Sequence, residues 1–213
     1  MTNQQTQVPV TPAASGAPVA SAEAAAPVHI PFGDPGGLGL AAFALTTFVL
    51  SVINAGWLNA DLTPTVFGLA IFYGGIGQLI AGVWEFANRN TFAAVAFSSY
   101  GGFWLSYYFL ASSTKLGDDA AKGVGVYLIA WGIFTLYMTI AALRTTNVVL
   151  SVFVALTLTF FALAIAELAG AELIGKVGGY LGLITAVLAW YGSFAAVTNS
   201  TFKRPVLPVG PRA

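Results

Sequence analysis

Between Ile71 and Phe86 an otherwise apolar run, "IFYGGIGQLIAGVWEF", carries Gly74, Gln78 and Gly82 in steps of four, with Glu85 three residues later. That spacing puts an amide and a carboxyl on one face of a helix. In the preceding run Gly39, Phe43, Thr46, Thr47, Leu50 and Asn54 recur at intervals of three and four and share a face in the same way. A third run holds "FSSYGGFW", in which Ser98, Ser99 and Tyr100 bring hydroxyls next to glycines and aromatics. These groups donate hydrogen bonds without fixed positive charge. Together the faces describe a narrow, weakly polar path, without identifying what travels along it. For the glycines the competing reading is close helix packing. For Gln78 and Asn54 a packing role also stays open, since a buried amide needs a partner or water.

The ionisable groups stay away from the middle of these runs. Glu85 precedes Arg89 by four, the favourable order for an ion pair at a helix end. The alternative role for Glu85 is a protonatable carboxylate at the mouth of the path. Glu167 closes a later run as either an anchor or a vestibule charge. The absence of a central carboxylate speaks against a buried proton relay. Enzyme chemistry finds no footing, because no nucleophile, base and orienting group lie together by spacing and no phosphate-cradling loop stands between a strand and a helix. His29 is the one histidine and there is no cysteine, so neither a transition-metal site nor thiol chemistry is expected, and no cofactor is implied.

The elements that position these groups follow from the composition. Of 213 residues 57% are hydrophobic and 8% charged, with zero formal net charge. A soluble domain carries about 25% charged residues, so most of this surface faces lipid. Eight Lys plus Arg form no basic track, which excludes nucleic acid as a partner. Residues 1–33, rich in Pro, Ala, Ser, Thr and Gln, are expected as a disordered cytoplasmic tail. Six apolar runs follow, at 38–58, 66–86, 91–113, 123–142, 147–166 and 177–198. Each is long enough at ~1.5 Å per residue to cross ~30 Å of hydrocarbon. Continuous runs specify helices rather than a barrel. The fold class is an all-α integral membrane protein with six transmembrane helices over 34–200 and a short cytoplasmic tail at 201–213. Arg89, Arg144, Lys203, Arg204 and Arg212 fall on the side of the termini, against Lys115, Lys122 and Lys176 on the other. That bias puts both termini in the cytoplasm, the bilayer being the cell membrane.

The strings "DPGGLGLAAFALTTFVLS" (34–51), "IFYGGIGQLIAGVWEF" (71–86), "NTFAAVAFSSYGGFWL" (90–105), "GVYLIAWGIFTLYM" (125–138) and "FKRPVLPVG" (202–210) resemble, in matching order, the acetate uptake transporter family. Its bacterial members are succinate–acetate/proton symporters. The resemblance implies a homo-hexamer with a separate path in each protomer. It also implies transport of acetate, and in some members succinate, lactate or other short carboxylates, coupled to protons. The family's apolar constriction maps onto Phe43, Tyr100 and Leu156, and Ala189 matches a small residue beside the path that affects substrate size. Thr46, Thr47, Asn54, Gln78, Ser98 and Ser99 then serve as neutral donors to a carboxylate, weak enough to let it leave.

One departure from the family pattern stands at the start of the first run. Asp34 replaces an Asn and Gly37 a Pro. Asp34 is a good helix cap and Pro35 suits the first helical position. An ionised Asp34 would nevertheless offset the positive helix end that attracts an anion. Three readings remain in competition: a proton-coupled acetate transporter, an acetate-selective anion channel without coupling, and a membrane scaffold or sensor that moves nothing.

Overall fold

The structure is a computed structural model that describes residues 33–112 and 117–212. The expected tail, apart from Gly33, and with it His29 and Lys115, lies outside the described residues. Regular structure among them is helical, apart from an antiparallel bridge between Thr146 and Pro211. The helices are α1 (Gly36–Asn54), α2 (Pro64–Ile71), α3 (Gln78–Ala87), α4 (Thr91–Ser112), α5 (Ala120–Ala142), α6 (Asn147–Ala169) and α7 (Glu172–Phe202). A π-helical turn at Phe72–Gly77 joins α2 to α3, so the seven elements make six helical rods.

Five rods are long and apolar enough to cross a membrane: those containing α1, α2–α3, α5, α6 and α7. The chain is therefore a multi-pass membrane protein. The sixth rod, α4, has 22 residues and is as long as its neighbours. Its four serines, two tyrosine-bearing turns and paired glycines dilute its apolarity.

Helix ends follow local chemistry. Thr146 Oγ1 accepts the Val149 N–H at 3.2 Å and caps α6, which Gly170 closes in the left-handed region at φ 61°. Asp34 Oδ1 accepts the Gly36 N–H at 2.8 Å at the start of α1. The rods then approach closely where side chains are small. A Cβ at Gly179 on α7 would run into the backbone of Asn54 and Ala55 on α1, and one at Gly82 on α3 would strike Ser98 on α4. In lipid, where apolar surface gains little by leaving one apolar phase for another, such contacts carry the helix association. The glycine steps seen in the sequence do pack helices.

The C-terminal residues cross one end of the bundle as a strap. Asn199 Oδ1 accepts the N–H groups of Val206 and Leu207 at 2.7 and 2.8 Å, and Nδ2 donates to Leu207 O at 2.9 Å. Tyr191 donates to Pro208 O at 2.7 Å. Beyond these, the Asn147 N–H donates to Gly210 O at 2.7 Å, tying the strap to the α5–α6 turn.

Candidate functional site

Two cavities enter the bundle from opposite ends. The first, about 580 Å³, is bounded by the first turns of α1, the α3–α4 turn, the start of α6 and the last turns of α7. The second, about 230 Å³, lies between the C-terminal halves of α1, α4 and α6 and the N-terminal half of α5. Phe43 and Leu156 line both. Tyr100 lines the first, and its ring stands 5.6 Å from that of Phe43, inclined at 48°. All three side chains are at least 96% buried. An apolar partition one side chain thick therefore separates the two cavities, and it consists of residues from α1, α4 and α6.

Neighbours hold the partition rigid. Thr135 on α5 donates to Trp131 O at 2.8 Å, so the Tyr100 hydroxyl donates in turn to Thr135 Oγ1 at 3.0 Å. Phe134 meets Tyr100 edge-on at 5.5 Å and Phe153 meets it at 6.0 Å. Tyr100 thus has its polar tip satisfied and its ring wedged, as a buried tyrosine requires.

Gln78 is the unusual group of the first cavity. It is fully buried and lines that cavity, and neither its amide oxygen nor its nitrogen has a hydrogen-bond partner among the described residues. A buried amide in that condition costs about 1–3 kcal/mol. It opens α3 directly after the π-helical turn, and such turns are frequent at functional sites. Glu85, two turns further along and 97% buried, lines the same cavity with Asp34 and Asn90. The expected pair of Glu85 with Arg89 does not form. Helix α3 ends at Ala87 and Arg89 has left-handed backbone at φ 59°, so the i,i+4 geometry is lost. Among the described residues the ion pairs are Asp119–Lys122 and Glu172–Lys176.

Thr47, Asn54 and Glu167 line the second cavity, and the Thr47 hydroxyl is buried without a hydrogen-bond partner among the described residues. Other candidates stand outside both cavities. Thr46 donates to Ala42 O at 2.8 Å along its own helix. Ser98 packs where Gly82 leaves room, Ser99 is half-buried, and Ala189 is fully buried in the core. Trp104 was not singled out in the sequence and belongs with the site: it is 98% buried, lines the second cavity, and its indole N–H has no hydrogen-bond partner among the described residues. Its position four residues after Tyr100, one turn on along the same face, is the signal that points to it. The strap supplies Val209 to the wall of the first cavity, beside Asn199 from the end of α7.

A neutral, desolvated amide before an apolar partition, with a neutral indole and hydroxyl behind it, can hold a small anion briefly on either side. None of these donors carries a charge that would trap it.

Comparison with known proteins gives a consistent pattern. The model of the GPR1/FUN34/yaaH family matches residues 17–210. The chain is 42% identical over 180 residues to the succinate-acetate/proton symporter SatP of Escherichia coli (strain K12), over 83% of this chain and 95% of that protein. It is 41% identical over 184 residues to ammonia transport outward protein 2 of Saccharomyces cerevisiae, over 83% of this chain, and spans 65% of that longer relative. Among solved structures, that of the bacterial acetate channel SatP superposes with a TM-score of 0.79 at 41% identity, covering 84% of this chain and all of that one.

Proposed function

The chain belongs to the GPR1/FUN34/yaaH family, and from that premise we propose that it carries acetate and related short carboxylates across the cell membrane. The route runs through the two cavities and the Phe43–Tyr100–Leu156 collar within each protomer. The family and its structural neighbour are transporters and channels rather than enzymes. The observation that carries the reading is the meeting of two opposed cavities at one buried apolar collar, with the unpartnered Gln78 amide lining the larger cavity. A carboxylate arrives as an anion at neutral pH, because its pKa lies near ~4. Gln78 offers it a donor in place of water, and the collar takes the methyl group while excluding hydrated ions.

All six rods cross the bilayer in this reading, with both termini cytoplasmic and the larger cavity facing the cytoplasm. The cations Arg89, Arg144, Lys203, Arg204 and Arg212 gather at that end. Six protomers assemble, as the resemblance implies. Labelled-acetate uptake into proteoliposomes tests the reading, with propionate, lactate, succinate and ammonium as competitors. Saturable uptake above protein-free vesicles, inhibited by short carboxylates, supports it. Uptake inhibited by ammonium alone contradicts it.

Transport is coupled to protons through the substrate itself or through the carboxylates at the mouth, Asp34 and Glu85. A channel without coupling is the second reading, favoured by one observation: the cavity-lining carboxylates Asp34, Glu85 and Glu167 all stand toward the ends, and none touches the collar. Voltage-clamped bilayers separate the two. A channel passes a current that reverses at the acetate equilibrium potential and ignores pH, whereas one-to-one symport is electroneutral.

A further inference from the structure

The buried face of the second rod keeps a spacing that an unbroken α-helix cannot hold. Val66, Ala70, Gly74, Gln78, Gly82 and Glu85 are all buried, separated by four steps of four residues and one of three. At about 3.6 residues per turn, each step of four overshoots a full turn by about 40°. Val66 and Gly82 would then stand about 160° apart, on opposite sides of the rod. Both halves nevertheless face α4. Phe67 of α2 meets Tyr108 edge-on at 5.5 Å, and Gly82 of α3 leaves room for Ser98.

The π-helical turn at Phe72–Gly77 removes the discrepancy. An i→i+5 turn takes in one residue more than an α-turn, so it sets the following helix back by about 100°. Gln78 and Glu85 thereby fall within about 20° of Val66 and line the first cavity, instead of lying about 100–120° away around the rod. Glycine on the facing helix makes room for the turn. A Cβ on Gly101 of α4 would stand 2.9 Å from both the Gly75 carbonyl oxygen and the Leu79 nitrogen, so glycine alone lets α4 lie against the widened backbone. Gly102, the next residue, has open space where a Cβ would go.

We propose that the π turn, seated on Gly101, sets the phase of α3 so that Gln78 points into the substrate cavity, which makes Gly101 a positioning residue for transport. The role in transport rests on the reading of Gln78 as a donor to the carboxylate, whereas the orientation is measurable without any transport. The sequence has no cysteine, so Gln78→Cys reports that orientation by its rate of labelling with a small water-soluble methanethiosulfonate. Position 78 labels readily, and adding Gly101→Ala slows the labelling several-fold. With Gln78 in place, Gly101→Ala raises the acetate KM about 10-fold at nearly constant kcat, the scale of one hydrogen bond to an anion. Gly102→Ala, the same substitution one residue on, leaves labelling and KM as in wild type. Equal effects of the two substitutions overturn the proposal, and so does a Gly101→Ala variant that changes neither readout.

Deletion of Ile76, which is exposed and lies within the turn, is the second variant. It takes out the extra residue, so an unbroken α-helix carries both halves in phase. Labelling at position 78 and acetate KM then stay as in wild type, in protein shown to be folded by its melting profile. Lost labelling overturns the proposal, because the turn then does not set the phase. Lost affinity with labelling kept also overturns it, by assigning the anion contact to the turn's own backbone. The predicted labelling pattern in a protein that takes up no acetate contradicts carboxylate transport and upholds the orientation.

Discussion

Phe43 on α1 and Tyr100 on α4 meet with ring centroids 5.6 Å apart, and nothing larger than their contact with Leu156 divides the two cavities of the bundle. The contact is anchored at one end only. Tyr100 is tied to α5 through Thr135, whereas Phe43 is held by packing alone. Substitutions on the two sides of the pair therefore have different consequences.

Tyr100→Phe keeps the ring and removes the hydroxyl. Thr135 retains its bond to Trp131 O, so no donor is left stranded. The expected loss of stability is about 0.5–1.5 kcal/mol, one net hydrogen bond, with acetate uptake close to wild type because the ring that forms the collar is kept. Thermal unfolding in detergent beside a transport assay checks both parts.

Gln78→Leu separates a structural from a binding role. Replacing an unpartnered buried amide by an apolar side chain is neutral or stabilising, so the melting temperature holds or rises. Uptake falls by about 10-fold or more if the amide supplies a hydrogen bond to an anion worth about 1.5–3 kcal/mol. A variant that melts lower and transports normally would show that Gln78 serves packing.

Asp34→Asn preserves the acceptor that caps Gly36 and removes the charge at the cavity mouth. The apparent KM for acetate falls, while Asp34→Ala loses the cap as well, at a cost of about 0.5–2 kcal/mol. Unchanged KM across the pH range in Asp34→Asn would remove Asp34 from the anion's approach.

Asn199→Ala deletes three hydrogen bonds that hold the strap at Val206 and Leu207. Backbone amides of Val206, Leu207, Val209 and Gly210 should exchange faster with deuterium by about 10-fold or more, as expected when several bonds of about 1 kcal/mol are lost. Exchange in α1 and α4 stays as in wild type.

Five of the six rods could be read from apolar length alone, because lipid leaves a helix no polar partner outside itself, whereas α4 shows its length but a diluted apolarity. Phe43 and Gln78 were visible for a related reason: ring, amide and glycine repeat at helical spacing. The π-helical turn was not. Its glycines at 74, 75 and 77 look the same whether they pack a helix or widen it, and the choice depends on Gly101 and Leu105 of α4 pressing against Gly75. Arg89 likewise belonged to a helical ladder in sequence, but left it because α3 ends two residues earlier. Spacing also gave Thr46 the same standing as Thr47. One hydroxyl turns back to its own helix and the other lines a cavity, because adjacent helical residues point about 100° apart and only the packing decides which direction holds the cavity.

The most direct test is labelled-acetate flux through proteoliposomes containing wild type or Phe43→Ala, with the variant first shown to be folded by its melting profile. The account predicts saturable acetate flux in wild type and, in Phe43→Ala, a several-fold gain of lactate and succinate flux relative to acetate as the collar widens. Rate and selectivity unchanged in a folded Phe43→Ala would contradict a path through this collar.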